Sequence, residues 1–117
     1  MRNHDEWVGE SSSPYGKDYC PRKGRLEGAK FICWKEFMCE GQDGIWRAKK
    51  TEEIKEICQK NGLKENDDIT VYCFKGARSS FAKICLENAG FKNITNYLGS
   101  WHEWSQRFEL PIDDRKL

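Results

Sequence analysis

The chain has 117 residues, 38% of them hydrophobic, which suits one compact domain with a single core. A formal net charge of +1 argues against a general nucleic-acid or anionic-membrane surface, and no apolar run approaches the ~20 residues of a membrane span. Six cysteines occur without a Cys-x-x-Cys pair, and no signal peptide is visible. We therefore predict a cytoplasmic protein with no metal site and no cofactor.

The amino-terminal half contains weak structural signals. Residues 9–30 show no apolar period and predict a surface loop, unusually long for so small a domain and so a candidate functional segment. Residues 31–34, Phe-Ile-Cys-Trp, predict a short buried strand. Thr51 is a candidate cap for a helix that continues to Gly62, because apolar residues recur there at helical spacing.

The carboxyl-terminal half has stronger signals. A β-branched run predicts a strand over 69–73, and Ser79 or Ser80 is the predicted cap of the next helix, which Gly90 ends. A short strand over 93–98 and a short helix over 101–108 follow. The predicted inward face of the helix before Gly90 consists of Phe81, Ile84, Cys85 and Ala89.

Strands and helices alternate, which predicts an α/β fold with a mostly parallel sheet and helices on both faces. Ligands of such sheets bind at the carboxyl ends of the strands. Cys73 is the last residue of the predicted strand over 69–73, so it is the leading candidate for a reactive residue.

The loop after this strand reads Cys-Phe-Lys-Gly-Ala-Arg, from Cys73 to Arg78. Gly76 lets the backbone turn with its N–H inward, while Lys75 and Arg78 place two cations near the sulfur. Such an electropositive loop lowers the pKa of a thiol and attracts small anions. The pattern therefore predicts a nucleophilic cysteine beside an anion site.

Two reactions suit this loop, phosphoester hydrolysis and sulfur transfer, and the length of the loop distinguishes between them. Cysteine-dependent phosphatases place five residues between the cysteine and the arginine, whereas four residues separate Cys73 from Arg78 here. The smaller loop favours one extra sulfur atom over a phosphate. Sulfur transfer is therefore preferred, and a cysteine phosphatase or arsenate reductase stays as a disfavoured alternative.

Several motifs resemble those of the rhodanese (thiosulfate sulfurtransferase) family. The six-residue loop is one, and Gly-Ser-Trp-His-Glu-Trp over 99–104 resembles the ending of the C-terminal catalytic domain of two-domain sulfurtransferases. Residues 87–91 match as well, and residues 2–9 and 24–29 resemble upstream family motifs. The resemblance covers nearly the whole chain, and its catalytic half spans 67–111.

The resemblance implies roles for the loop residues. Cys73 is expected to take a sulfane sulfur from thiosulfate as a persulfide and to pass it to cyanide or a thiol acceptor. The loop N–H groups are expected to hold that persulfide, and Lys75 aligns with a lysine that binds the sulfonate in thiosulfate-using relatives. The substrate-binding residues implied in this way are Phe74, Lys75, Gly76, Ala77 and Arg78.

The chain also departs from the family pattern. Arg25 and Glu27 replace the usual His and Pro of one turn, and Phe74 replaces a frequent Arg. The hydrophobic strand that normally precedes the first motif is absent, and Met1 stands where the family has Asp. We therefore expect either that the chain is part of a longer protein or that a partner domain or a second copy of the chain completes the sheet.

Structural interpretations compete with these assignments. Cys73 is alternatively a core cysteine, and Lys75 and Arg78 are alternatively solvated loop charges. Cys85, at helical spacing, predicts packing, whereas Cys20 is a weaker candidate for a second redox thiol. Residues assigned to packing, bracing or the surface are Trp101, Trp104, Arg2 and His102.

Two functional hypotheses follow. The first is a thiosulfate sulfurtransferase that uses Cys73. The second is a rhodanese-like module that carries a persulfide or docks partners with little turnover. The sequence assigns no role to Cys33, Cys39 or Cys58.

Overall fold

The computed structural model describes all 117 residues. None of its helices combines the length and the apolar character that a bilayer crossing needs. In chain order the elements are α1 (His4–Trp7), β1 (Arg25–Leu26), a 3-10 helix (Trp34–Phe37), β2 (Met38–Glu40), β3 (Trp46–Ala48), α2 (Thr51–Lys60), β4 (Asp68–Val71), α3 (Ala77–Asn88), β5 (Asn93–Asn96), α4 (Ser100–Trp104) and β6 (Ile112–Asp113).

The predicted α/β order is confirmed in the carboxyl-terminal half, where β4 and β5 pair in parallel and α3 connects them. The parallel pairing is less extensive than predicted, because the strands form three separate two-stranded sheets and only this one is parallel. The other two ladders, β1 with β6 and β2 with β3, are both antiparallel. The β2–β3 pair is a hairpin closed by a short turn that contains Gly44, whereas β1 and β6 come from opposite halves of the chain.

One edge of β4 carries no strand, because β4 pairs only with β5. A groove of about 510 Å³ runs along that edge, and most of its lining residues are hydrophobic. Every residue over 67–72 lines it. The side chains of a strand alternate between its two faces, so a groove on one face would be lined by every second residue. Lining by consecutive residues therefore indicates that the groove follows the edge of the strand. The gap lies beside the strand that leads to Cys73.

Two buried clusters lie on opposite faces of β4, since the adjacent residues Val71 and Tyr72 belong to different clusters. The apolar cluster contains Val71 and is formed mainly by α2, α3 and the segment before the 3-10 helix. The Trp101 cluster comprises Cys20, Tyr72, Phe74 and Trp101. The apolar cluster comprises Ile32, Phe37, Ile54, Cys58, Val71, Ala82, Cys85, Leu86, Ala89 and Phe91.

The predicted strand over 31–34 is wrong. Only Ile32 of that segment is buried, and Trp34 begins the 3-10 helix. The Glu36 carboxylate accepts a hydrogen bond from the Cys33 backbone N–H at 3.1 Å. An acidic residue three positions after the cap is a helix-start signal, and here it outweighs the β-propensity of Phe-Ile-Cys-Trp.

The predicted helices are present, but their starts differ. Thr51 is the first residue of α2 rather than its cap, because Lys50 occupies that place. Gly76, at φ +92°, is the cap of α3, so neither Ser79 nor Ser80 has that role. The left-handed conformation of glycine allows the chain to enter the helix three residues earlier than a cap at Ser79 would.

The inward face of α3 differs from the predicted one. Ile84 is 59% exposed and is therefore wrongly predicted, whereas Cys85 and Ala89 are buried and the half-buried Phe81 packs against the core, as predicted. The observed stripe follows an i, i+3, i+4, i+7 spacing that includes the small residue at its start. Its members are Ala82, Cys85, Leu86 and Ala89.

The segment over 9–30 is less exposed than a surface loop. Ser12 is fully buried, and its hydroxyl accepts the Cys20 N–H at 2.9 Å. The Arg22 guanidinium donates to the carbonyls of Trp104 and Ser105, each at 2.9 Å. These bonds cap the end of α4, which stops at Trp104 although the sequence predicted a helix to residue 108.

Candidate active site

Cys73 lies two residues beyond the end of β4 and is only 1% exposed. Its backbone N–H donates to the Ser100 hydroxyl at 3.1 Å, and its carbonyl accepts the Trp101 N–H at 3.1 Å. The next carbonyl, of Phe74, accepts the His102 N–H at 2.9 Å. The Gly-Ser-Trp segment at the start of α4 thus holds the backbone of the cysteine in place.

The sulfur faces hydrogen-bond donors. The Gly76 N–H donates to Cys73 Sγ at 3.1 Å, and the Ser79 hydroxyl lies 3.5 Å from the same atom. Gly76 is confined to glycine by its φ of +92° and by the Leu98 carbonyl, which would lie 3.0 Å from an added Cβ. The loop therefore points an amide at the sulfur, as the sequence predicted for Gly76.

The ionised form of this thiol is stabilised. Burial opposes ionisation of Cys73, but the Ser79 hydroxyl, the backbone N–H groups of Ser79 and Gly76 and the charge of Arg78 together lower the pKa of the thiol to about 7. About half of the thiol is therefore ionised at neutral pH. Because the thiolate is the reactive form, the geometry supplies a nucleophile.

Ser79 is a site residue that the sequence analysis missed. It lies within α3 and is fully buried, and its hydroxyl oxygen is 2.7 Å from Asn96 Oδ1 and 3.5 Å from Cys73 Sγ, so its single proton is donated to one of these two acceptors at a time. The Asn96 amide in turn donates to the Ser80 hydroxyl at 2.8 Å and to the Gly76 carbonyl at 3.3 Å. The only sequence signal is the position of Ser79 in the first turn of the helix that follows the loop.

Arg78 is engaged by a residue from the other end of the chain. Its guanidinium donates to both carboxylate oxygens of Glu6, at 2.8 and 3.1 Å, and Glu6 is fully buried. Arg2, also buried, places Nε 3.9 Å from Glu6 and packs over Trp101 at 4.6 Å. Arg78 therefore contributes its charge to the site, while Glu6 occupies two of its donors. Sequence reasoning did not identify Glu6.

Lys75 and Phe74 behave differently although they are adjacent. Phe74 is 2% exposed and packs in the Trp101 cluster, so its side chain belongs to the core. Lys75 is exposed, and its ammonium lies near aromatic rings contributed by the segment over 9–30. Ala77, also exposed, begins α3, and its side chain makes no polar contact. Only Lys75 and Arg78 bring side-chain charge to the loop.

The remaining cysteines divide by burial. All six are free thiols. Burial raises the pKa of Cys58 to about 11, and it also raises the pKa of Cys20 and Cys85. These thiols are neutral at pH 7, and Cys85 packs in the apolar cluster as predicted. Only Cys73 combines donors at the sulfur with a lowered pKa.

The chain is similar to known proteins over most of its length. A family model described as the rhodanese-like domain matches residues 1–107. A provisionally named thiosulfate sulfurtransferase of Haloferax volcanii is 32% identical over 115 residues, which cover 97% of this chain and 39% of that protein. The sulfur carrier protein TtuD of Thermus thermophilus is also 32% identical over 115 residues, covering 96% of this chain and 39% of TtuD.

Further relatives differ in the molecules that they are named for. The 3-mercaptopyruvate sulfurtransferase of Escherichia coli K12 is 30% identical over 95 residues, covering 81% of this chain and 32% of that enzyme. A solved structure of EanB in a persulfide state with ergothioneine matches with a TM-score of 0.81 and 28% identity, covering 97% of this chain and 27% of EanB.

The chain therefore spans less than half the length of these relatives. Its α/β fold and nearly its whole length match one family. The chain belongs to the rhodanese-like domain family.

Proposed function

We propose that residues 1–117 act as one rhodanese-like domain that transfers sulfane sulfur through Cys73. The observation that carries the proposal is the buried Cys73 sulfur, which accepts the Gly76 N–H at 3.1 Å and has a pKa lowered to about 7. A thiolate at the base of a small loop reaches a terminal sulfur atom more easily than a bulky phosphoester.

The donor step is a displacement at sulfur. The Cys73 thiolate attacks the outer sulfur of thiosulfate, the S–S bond of the donor breaks, and sulfite leaves with the bonding electron pair. The product is a Cys73 persulfide anion, which the Gly76 and Ser79 donors are placed to stabilise. No proton has to move, so the site needs no general acid or base for this step.

The acceptor step restores the thiolate. A thiophilic acceptor such as cyanide attacks the outer sulfur of the persulfide and leaves as thiocyanate, while the S–S bonding pair returns to Cys73. The two half-reactions give a ping-pong cycle.

Thiosulfate is proposed as the donor because Lys75, an exposed positive charge on the same loop, aligns with the lysine that binds the sulfonate in thiosulfate-using relatives, whereas relatives that use 3-mercaptopyruvate have a smaller, uncharged residue there. The sulfonate of thiosulfate is an anion of suitable size for one ammonium group. The relative named for 3-mercaptopyruvate supplies the competing donor. Comparing the kcat/KM of thiosulfate with that of 3-mercaptopyruvate tests the choice, and a preference for 3-mercaptopyruvate would overturn it.

The central experiment is intact-protein mass spectrometry after incubation with thiosulfate. We expect a mass gain of one sulfur atom, which cyanide removes and which Cys73→Ser abolishes. Cys85→Ser is the matched control, because Cys85 is a buried thiol without donors at its sulfur. Sulfur loading that survives in Cys73→Ser, or no loading from either donor, would contradict the proposal.

A persulfide carrier with little turnover is the second candidate, and the similarity to a protein named as a sulfur carrier favours it. Steady-state thiocyanate formation distinguishes the two. Loading without cyanide turnover would assign the domain as a carrier. A cytoplasmic setting is also proposed, because the chain has enough apolar residues to form a core without a disulfide framework.

A strand from a partner domain is proposed to complete the sheet at the open edge of β4. The groove there is apolar, and the matched relatives are more than twice as long as this chain. A peptide strand supplies the backbone groups that the edge lacks. Sedimentation at high concentration tests the alternative occupant: a dimer would assign the groove to a second copy of the chain.

A further inference from the structure

A group of aromatic rings lies beside the reactive loop, and of its members only Phe74 was part of the predicted site. The rim cluster consists of Tyr15, Tyr19, Phe74 and His102, whose neighbouring ring centroids lie 5.5 to 6.2 Å apart. Tyr15 is 67% exposed and Tyr19 is 53% exposed. Single exposed aromatic residues are common on protein surfaces and need no explanation. Exposed tyrosines that group around a reactive loop indicate a binding surface.

The rim cluster holds a cation. The Lys75 ammonium lies 5.3 Å from the ring centroid of Tyr15, 5.8 Å from that of Tyr19 and 5.8 Å from that of Phe74. These distances fall within the range of cation–π attraction. Two of the three rings come from the segment over 9–30, which therefore reaches across to the loop of Cys73.

Lys75 has no carboxylate partner. Other lysines, such as Lys83, form ion pairs with acidic side chains. Lys75 takes part in none of the ion pairs of the structure. The rings attract the ammonium without neutralising it. The charge is therefore kept in one place and stays available to an anion.

A restrained ammonium binds an anion better than a free one. A lysine side chain has large rotamer freedom, which an anion must remove when it binds to an unrestrained ammonium. The rings have already removed part of that freedom. Lys75 belongs to the same loop as the reactive sulfur of Cys73 and is two residues from it along the chain.

We propose that Tyr15 and Tyr19 are positioning residues that hold Lys75 at the mouth of the loop and so select anionic sulfur donors. The inference rests on the proposed function, in which Lys75 binds the sulfonate of thiosulfate. It adds a role for the long segment over 9–30, whose tyrosines act through Lys75 rather than on the sulfur.

The first test does not depend on sulfur transfer. Iodoacetate and iodoacetamide alkylate the same thiolate but differ in charge, so the ratio of their rates at Cys73 measures the attraction for an anion. Mass spectrometry of the Cys73 peptide isolates that site, and free cysteine gives the intrinsic ratio. We expect Tyr15→Leu/Tyr19→Leu to lower the ratio by about three- to tenfold.

Three variants decide the mechanism. Tyr15→Phe/Tyr19→Phe keeps both ring faces and is expected to retain the unsubstituted ratio. Lys75→Gln is expected to lower the ratio at least as far as the leucine pair does. In the Lys75→Gln background the leucine substitutions are expected to have no further effect, because the rings act through the ammonium.

The second test is kinetic. The leucine pair is expected to raise the KM for thiosulfate by about three- to tenfold and to leave kcat unchanged. Trp46→Leu is the matched control, because Trp46 is an equally exposed aromatic residue on the β2–β3 hairpin. Both tyrosines are more than half exposed, so their replacement leaves the thermal unfolding transition intact.

Each result has one meaning. An alkylation ratio that the leucine pair leaves unchanged, leucine effects that persist in Lys75→Gln, or phenylalanine variants that behave like leucine variants would overturn the positioning role. Failure of the proposed function is a separate outcome: the unsubstituted protein then gains no sulfur from thiosulfate, while the alkylation ratio still reports on the rings.

Discussion

The two faces of β4 bury different chemistry. On one face the apolar cluster joins α2 and α3 through aliphatic and aromatic side chains. On the other face the Trp101 cluster lies against buried charges, since Arg2 packs over Trp101 and pairs with Glu6, which holds Arg78. Burying charge is unfavourable unless the groups are paired. In this protein the buried charged groups lie on the face of β4 that leads to Cys73.

This difference separates residues that affect only the stability of the fold from residues that also affect the reactivity of Cys73. A residue of the apolar cluster affects the sulfur only through the fold as a whole. A residue of the charged face affects both the fold and the electrostatic field at the sulfur. Substitutions on the two faces should therefore lower stability by similar amounts and yet differ in the titration of Cys73.

The largest effect is expected from Glu6→Gln. This change leaves the Arg78 and Arg2 guanidinium groups buried without their anion, and breaking a buried pair costs about 3–5 kcal/mol of unfolding free energy. Because the charge of Arg78 is then uncompensated, the pKa of Cys73 should fall. Urea denaturation and the pH dependence of Cys73 alkylation measure the two effects.

Glu109→Gln is its control. Glu109 pairs with Arg107 on the surface, where an ion pair contributes little. If Glu109→Gln lowered the unfolding free energy as much as Glu6→Gln does, the buried ion pairs would stabilise the fold no more than a surface pair.

Leu86→Ala is expected to have a comparable effect on stability and none on the site. Leu86 is 1% exposed within the apolar cluster, and truncating such a side chain costs about 2–5 kcal/mol through lost burial and the cavity left behind. Chemical denaturation measures the loss, and Ile84→Ala, at a 59% exposed position, is the control. A shifted Cys73 titration in folded Leu86→Ala would break the separation of the two faces.

The pH dependence of the unsubstituted protein follows from the lowered pKa of Cys73. Alkylation of Cys73 should level off above a midpoint near the pKa of about 7 and fall by about tenfold for each pH unit below it. Stability changes in the same direction. The folded pKa lies below the ordinary thiol value of about 8.5, so the contribution is complete above that value and is lost as the pH falls through about 7.

A midpoint near the ordinary thiol value would contradict the hydrogen bonds at Sγ. Measuring the alkylation rate and the urea midpoint in one pH series checks both statements on the same protein.

Ser79→Ala is expected to have the smallest of these effects. It tests whether the Ser79 hydroxyl itself lowers the pKa of Cys73. Loss of the hydroxyl at 3.5 Å from the sulfur should raise the pKa of Cys73 above its value of about 7 and lower the thiolate fraction at acidic pH by up to about tenfold. Ser80→Ala is the matched control, because Ser80 bonds to the Gly76 carbonyl and Asn96 but not to the sulfur. Equal shifts in both variants would assign the effect to the loop backbone instead.

Sequence reasoning succeeded where the signals are local. The strand before Cys73, the turn at Gly76 and the helix after it lie within about twenty residues, and each is specified by neighbours along the chain. The same reasoning failed over 31–34, where a cap at Cys33 outweighed strand propensity. Ile84 was misplaced because two apolar stripes compete on one short helix, and packing against α2 selected the stripe with Ala82.

The sequence by itself determined the family and the α/β order around β4, and it singled out Cys73 as the candidate reactive cysteine, because these depend on local motifs. Only the tertiary structure decided the surroundings of that cysteine. Glu6 meets Arg78 across 72 residues of chain, and Tyr15 and Tyr19 reach Lys75 across a comparable distance. Contacts between residues so far apart depend on the packing of the whole chain, which no local pattern encodes.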